Sequence, residues 1–232
     1  MTDLASLYRH RFQENELAPK RRIWETLCQA FFQKFIPETA TVLDVACGYG
    51  EFINAIECRK KLAIDLNPDT PNFLAKDINF YALPADNMSA LKNNSVDIAF
   101  TSNFLEHLPS KEVLTRVFSE INRVLKVDGK FIVMGPNIKY LYAEYWDFID
   151  HHLPLSHLSL IEALQLGGFE IETAIDKFLP YTTQSRLPQS PFLVAIYLKF
   201  PVVWRILGKQ FLVVARKPSA TTNTPKLQEK KA

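Results

Sequence analysis

The sequence has little cysteine, no excess of charge of one sign and no long hydrophobic run. Its three cysteines, Cys28, Cys47 and Cys58, show neither metal-ligand spacing nor an even framework for disulfides, so we expect reduced thiols in a cytoplasmic protein. The formal net charge is only +2, which gives nucleic-acid binding no electrostatic support. No apolar run reaches the roughly 18 to 20 residues of a membrane-spanning helix, and the first residues lack the basic-then-apolar pattern of a signal peptide.

The composition fits a globular protein, with 47% hydrophobic and 22% charged residues. We expect a helical cap at residues 1–37, one α/β domain at 38–216 with an apolar helical insertion at 180–209, and a disordered tail at 217–232. In the cap, one helical face carries Trp24, Leu27, Phe31 and Phe35, and it is predicted to cover the sheet.

Strand-like and helix-like segments alternate along the domain, which predicts an α/β fold. A helix is predicted from its cap at Ser110 to Leu125, and another at about 156–166, ending at Gly167-Gly168. The predicted strands lie at residues 41–45, 62–64, 78–83, 96–101, 130–134, 169–175 and 211–215.

A glycine-containing turn, Asp44-Val45-Ala46-Cys47-Gly48-Tyr49-Gly50, follows the first strand directly. Its two glycines permit positive φ and a close approach to a ligand, and the next helix offers unpaired N–H groups. A nicotinamide-binding turn needs a third glycine or alanine, but those positions hold Ile53 or Glu51, depending on the register. The acidic turn favours a cationic ligand with an amino-acid group, held by Asp44; the alternative is a tight turn without a ligand.

A second acidic residue, Asp65, follows the second strand, 17 positions after Gly48. That separation is typical of a carboxylate that binds a ribose diol. Alone, an Asp before Asn-Pro is more often a turn residue, so the prediction depends on the pairing with the glycine turn.

Four segments together resemble the class I S-adenosylmethionine-dependent methyltransferases. Residues 42–52, Val-Leu-Asp-Val-Ala-Cys-Gly-Tyr-Gly-Glu-Phe, resemble the first motif, and residues 63–68, Ala-Ile-Asp-Leu-Asn-Pro, resemble the second acidic motif. Residues 94–100 with Asn-Phe-Leu-Glu-His-Leu at 103–108 are similar to the fourth-strand motif and the helix after it, and residues 123–130 to the turn into the fifth strand. The resemblance covers residues 40–178.

The resemblance implies a Rossmann-like seven-stranded mixed sheet of order 3-2-1-4-5-7-6, with the last strand antiparallel, and S-adenosylmethionine as the cofactor. Asp86 matches a residue that contacts the adenine, with Asn87 beside it, and Asn103 one that lines the methyl-transfer site. The expected cofactor-binding residues are Asp44, Ala46, Gly48, Gly50, Asp65, Leu66, Asp86, Asn87 and Asn103. Where the family often has glycine this chain has Ala46, a methyl group we expect to matter little.

Two places could supply a general base for an acceptor hydroxyl. One is Glu106-His107, after the fourth strand, although this pair could instead pack against the first turn. The other is the aromatic, acidic and histidine-rich loop at 137–157, where His151 is the favoured base and where His152 and His157 are expected to cap or pack around the next helix. The residues predicted to contact the acceptor are Asn137, Tyr140, Tyr145, Trp146 and Asp150. No clear ligand set accompanies Glu106-His107, so no metal is predicted.

The insertion contains a segment, 190–207, that is apolar on all sides and starts at Ser190-Pro191. Such helices are buried somewhere, against the core or in a homodimer; alternatively they form a lid or contact a membrane surface through Trp204 and Arg205. The favoured function is methyl transfer to a small-molecule acceptor, a glycan or lipid-linked intermediate. The alternatives are a quinone or other aromatic hydroxyl as acceptor, and a non-catalytic protein that binds the cofactor.

Overall fold

The computed structural model describes residues 14–181 and 190–219. Its strands are β1 (Thr41–Val45), β2 (Lys60–Ile64), β3 (Ile78–Tyr81), β4 (Val96–Ser102), β5 (Leu125–Pro136), β6 (Glu170–Ile175) and β7 (Gln210–Arg216). They form one seven-stranded sheet in the order β3-β2-β1-β4-β5-β7-β6. The first five strands are parallel, and β7 runs antiparallel to both β5 and β6, which confirms the predicted topology.

The helices of the described residues are α1 (Glu14–Ala30), α2 (Glu51–Ala55), α3 (Lys111–Val124), α4 (His157–Leu166), α5 (Pro191–Lys199) and α6 (Pro201–Leu207). Local chemistry sets their starts: the Ser110 hydroxyl accepts the Val113 N–H, and Ser156 and Ser159 form a capping box at α4. β5 begins earlier than predicted, at Leu125, because that residue already pairs with Val96 of β4 ahead of a register shift.

Two apolar layers enclose the sheet, and β1 is buried along its whole length. One layer packs α3 and α4 against the sheet. The other contains α1 and α2, with Leu27 and Phe31 buried and the Trp24 ring 6.1 Å from that of Phe100. The predicted apolar face of the cap therefore does cover the sheet.

The insertion forms α5 and α6: α5 packs against α1, and α6 packs against α5. Leu198 and Trp204 are buried, but the outer faces are open: Phe192 is 71% exposed, Val202 73% and Ile206 75%. Burial against the core, one of the alternatives for these helices, is therefore not found for their outer faces, since each short helix packs only one side against the chain. No helix among the described residues combines the length and apolar character needed to cross a membrane.

The predicted domain limits are only partly covered by the described residues. Residues 1–13 of the cap, 182–189 of the insertion and 220–232 of the tail lie outside them. The tail was predicted to begin at Lys217, but this side chain is fixed: its Nζ donates to the carbonyls of Asn122 and Leu125. Backbone bonds with Asp128 and Gly129 extend the pairing beyond β7.

Candidate functional site

The glycine turn lies at the carboxyl end of β1, where parallel strands present their loops. Gly48 has a φ of 57° and Gly50 a φ of 75°. A Cβ on Gly50 would lie 2.3 Å from the end of the Leu74 side chain, which would have to shift, and the positive φ favours glycine there. The segment after β2 holds the turn, because Gly48 N–H donates to Asp65 at 2.7 Å and the Thr70 hydroxyl donates to the Gly48 carbonyl at 2.8 Å.

Ala46 also adopts a left-handed conformation, with φ 57°. An alanine in that region clashes with its own backbone, which costs about 1 kcal/mol or more, whereas glycine does not. The expectation that this departure from the family pattern matters little is therefore wrong. The turn retains its shape at a cost in stability.

Three carboxylates gather around the turn. Asp44 is 3% exposed, and its pKa is raised well above the ordinary value by burial and then by Glu51 and Asp65. Burial also raises the pKa of Asp65, against its bonds from the N–H groups of Asn67 and Gly48. Glu51 pairs with Lys20 of α1 at 2.7 Å. A cation placed here would relieve both the burial and the mutual repulsion of the carboxylates, so the donor set fits a positively charged ligand.

The other predicted cofactor residues lie in loops that follow β2, β3 and β4. Leu66 is 55% exposed beside Asp65, and Asn103 has a φ of 49° at the end of β4. Asp86 accepts two bonds from Arg116, both on Oδ2, at 3.1 and 2.9 Å, while Asn87 is exposed beside it.

Sequence reasoning missed Asn67 in this region. It is 1% exposed, its Oδ1 accepts the Asp69 N–H, and its Nδ2 has no hydrogen-bond partner among the described residues. A buried donor of this kind calls for a ligand or water. The only available signal was its place two residues after Asp65.

The two places proposed for a general base form one cluster. His107 Nδ1 lies 3.1 Å from both the Asp150 carboxylate and the Asp150 carbonyl. The rings of His107 and His151 lie 5.0 Å apart, and the N–H groups of His152 and Leu153 donate to the Glu106 carbonyl. The loop at 137–157 is thereby attached to the segment after β4, where the resemblance implied a helix and the structure has the short 3-10 turn Leu105–His107.

The protonation of His107 follows from these contacts. Burial lowers its pKa, but the hydrogen bond that His107 donates to Asp150 and the charges of Glu106 and Asp150 outweigh that effect and raise the pKa above the ordinary value. Both groups facing Nδ1 are acceptors, so Nδ1 carries the proton and the lone pair of the neutral ring is on Nε2. Burial raises the pKa of Glu106, and the His107 charge opposes this.

His151 is more enclosed than predicted. It is 6% exposed, its Nδ1 donates to the Tyr145 carbonyl at 2.8 Å, and it stacks on Phe148. The side chain of His107 is 28% exposed. Of the two histidines, His107 is therefore the more accessible to an acceptor.

Glu106, His107 and His151 each offer one ligand atom within 4.8 Å of the other two. The sequence suggested no metal because no ligand set was evident. The fold brings together three residues of the types that bind a metal ion. The sequence did not reveal this group, because His151 comes from a loop remote in sequence.

Most of the predicted acceptor residues hold the loop in place. Asn137 is fully buried, and its Nδ2 bonds His157 Nδ1 and the Asp176 carbonyl. Tyr140 donates to Asp176, and the buried Tyr145 donates to the Leu153 carbonyl at 2.6 Å. The polar atoms of these side chains form hydrogen bonds within the protein, which does not support the predicted acceptor contacts for Asn137 and Tyr145.

Two further residues of this loop also had predicted roles. Trp146 remains 57% exposed. His157 packs at the start of α4, as expected, with its ring stacked against that of Tyr140 at 6.5 Å.

Comparison with known proteins agrees with this geometry. The family model described as a methyltransferase domain matches residues 43–133, from β1 into β5. No curated protein matches the sequence significantly. Residues 43–133 thus match a methyltransferase domain, which supports an enzyme that takes S-adenosylmethionine as its cofactor.

Solved structures share the fold at low identity. The structure of a complex between the Trm112 methyltransferase activator of Haloferax volcanii and a proposed methyltransferase matches with a TM-score of 0.68 and 18% identity, over 94% of this chain and 100% of the other. A SAM-dependent methyltransferase from Archaeoglobus fulgidus matches with a TM-score of 0.64 and 20% identity, over 93% and 100%. A Thermotoga maritima enzyme, named as a candidate histamine N-methyltransferase, gives 0.66 and 15%, over 92% and 99%.

Proposed function

We propose that this enzyme transfers the methyl group of S-adenosylmethionine to a hydroxyl group of a small molecule. The observation that carries the proposal is the placement of two clusters at one edge of the sheet: the carboxylates around the glycine turn and the histidines near the end of β4. Bound S-adenosylmethionine supplies an activated methyl group on a sulfonium. The protein then has to align the acceptor, exclude water and receive a proton.

Each cofactor-binding residue is assigned to one part of S-adenosylmethionine. Asp44 holds the ammonium, and the backbone of Ala46, Gly48 and Gly50 allows close approach. Asp65 binds the ribose diol through the lone pairs that its two backbone bonds leave available. Leu66 and Asn87 flank the adenine with Asp86, whose Oδ2 is already committed to Arg116. Asn103 lines the path between the methyl group and the acceptor.

In this proposal His107 is the general base. Asp150 fixes the tautomer by accepting a hydrogen bond from Nδ1–H, so that Nε2 can take the acceptor's proton while the negative charge of Glu106 stabilises the resulting imidazolium. His151, whose Nδ1 is committed to the Tyr145 carbonyl, supports the loop that carries Asp150. Asp150 is therefore assigned to orienting the base rather than to contacting the acceptor.

Calorimetry and kinetics test these roles separately. Asp44→Asn should weaken S-adenosylmethionine binding at least tenfold, because the buried carboxylate faces the ligand's positive charge. His107→Asn and His151→Asn should leave that affinity nearly unchanged and lower turnover, by about a hundredfold or more for His107. Cofactor binding that is unaffected by Asp44→Asn contradicts the cofactor assignment, and full turnover by His107→Asn contradicts the base.

The surroundings of the site support one class of acceptor. A hydroxyl on a glycan or lipid-linked intermediate is the proposed acceptor, and the apolar side chains that the insertion exposes beside the sheet favour the lipid-linked form over a freely diffusing sugar. An enzyme for such an acceptor contacts the membrane peripherally through residues 190–207; a homodimer through the same residues is the competing use. The second candidate acceptor, a quinone or aromatic hydroxyl, is favoured only by the exposed ring of Trp146.

A further inference from the structure

The outer faces of α5 and α6 form an exposed apolar surface. On α5 the exposed positions recur every three or four residues, and α6 continues the surface. The inner faces meet where Trp204 Nε1 donates to the Tyr197 carbonyl, so the outer side chains are not needed for the pairing of the helices. We call the following residues the outer surface: Phe192, Leu193, Ile196, Phe200, Val202, Ile206 and Leu207, all of which are at least 38% exposed.

The charged residues of the insertion itself have one sign. Residues 190–209 include Lys199, Arg205 and Lys209 and no acidic residue. Lys209 pairs with Glu144, but within the described ranges no carboxylate lies within ion-pair distance of Lys199 or Arg205. Lys177 also belongs to this end, since its Nζ donates to the Arg205 carbonyl at the end of α6.

We propose that the outer surface binds an anionic membrane surface, lying in the interface with Lys199 and Arg205 among the headgroups. Apolar side chains with cations beside them are the composition of helices that lie in a lipid interface. At nine and seven residues, the helices are too short to span the bilayer and suit a position parallel to it.

A second copy of the chain is a poorer occupant. A two-fold dimer places the same patch on both partners. The cations of one copy would then face those of the other, without an acidic residue in 190–209 to compensate them. An anionic lipid surface has the opposite sign of charge and needs no such compensation.

Flotation of the full-length protein with vesicles tests the proposal. The probes are vesicles of phosphatidylcholine alone and of phosphatidylcholine with about one third phosphatidylglycerol. The protein should float with the anionic vesicles and bind the neutral ones at least tenfold more weakly, since each cation adds about fivefold to the affinity.

Variants separate the apolar from the electrostatic contribution. Phe192→Ser with Ile206→Ser should abolish flotation, and Lys199→Glu with Arg205→Glu should reduce it at least tenfold. Leu166→Ser is the matched apolar control, because Leu166 is 84% exposed on α4, and Lys92→Glu, in the exposed turn before β4, is the charge control. Both controls should float like the unaltered protein.

The fold and the activity are checked independently. Unchanged S-adenosylmethionine binding and thermal melting show that a variant is folded, so lost flotation is not misread as unfolding. The proposal is overturned if the unaltered protein stays unbound with anionic vesicles, or if the outer-surface variants float as it does. A dimer in sedimentation that Phe192→Ser with Ile206→Ser dissociates would assign the surface to a second copy instead. Because cofactor binding is measured apart from flotation, failure here leaves the proposed methyl transfer standing, and the converse also holds.

Discussion

Ala46 is the residue whose backbone most directly limits stability near the site. Its φ of 57° favours glycine, so Ala46→Gly removes a clash of about 1 kcal/mol while adding some entropy to the unfolded chain. We expect a net gain of roughly 0.5 kcal/mol in the free energy of unfolding. Urea denaturation measures it.

Ala90→Gly provides the control for that substitution. Ala90 lies in an exposed turn and is not among the residues with positive φ, so glycine should destabilise there. Equal losses from both substitutions would show that the left-handed conformation at Ala46 carries no cost.

The interaction of Asp150 with His107 should make stability depend on pH. The fold raises the pKa of His107, so its contribution is fully present below the unfolded pKa of about 6.5 and is lost as pH rises through the folded pKa. Asp150→Asn removes the carboxylate whose hydrogen bond and charge raise the pKa of His107. The destabilisation by this variant should be larger at about pH 5.5 than at about pH 8.5 in denaturant titrations.

Glu162→Gln removes an exposed charge from α4 and serves as the matched control. Its effect should vary little over the same pH range. If the Asp150→Asn effect is constant, or grows toward alkaline pH, then the ion pair does not stabilise protonated His107.

At the residue level, the sequence identified the residues of the cofactor motifs but not which side chains contact one another. Asp44, Asp65 and Gly50 lie in motifs in which neighbouring residues define the role, and the fold gathers them as expected. Asp150 and His107 are 43 positions apart, and only the docking of a loop joins them. Ala46 was underestimated because a composition pattern does not reveal φ.

The start of α4 fixes the C-terminal end of the loop at 137–157. Ser156 and Ser159 satisfy each other's backbone at the first turn of this helix. Ser156→Ala should lower the free energy of unfolding by about 1 kcal/mol. Because the loop carries Asp150, the substitution should also increase amide exchange across residues 148–156.

Ser119→Ala, at an exposed position within α3, tests whether replacing any helical serine lowers the free energy of unfolding. It should be neutral or slightly stabilising, because alanine has the higher helix propensity. A loss equal to that of Ser156→Ala would contradict a specific capping role.

At the element level, periodicity and caps predicted most strands and helices, including the cap at Ser110. The early start of β5 was missed because it depends on pairing with Val96, across the sheet rather than along the chain. The all-round apolar pattern of the insertion predicted burial, but periodicity cannot distinguish a core neighbour from an external one.

For the whole molecule, the order of the strands brings the ends of β1, β2 and β4 to one edge. The predicted topology was confirmed because the motifs of the resemblance fix the succession of strands. The acceptor could not be predicted in the same way, since it is bound by loops whose shape arises from tertiary contacts such as that of Tyr145 with Leu153.

Methyl transfer from labelled S-adenosylmethionine into a fractionated cell lysate tests the central claim most directly. The unaltered protein should label a compound in the lipid-extractable fraction, and His107→Asn, which keeps its affinity for the cofactor, should label it about a hundredfold more slowly. Label that enters no fraction although the cofactor binds, or that enters at the same rate with His107→Asn, would contradict the account.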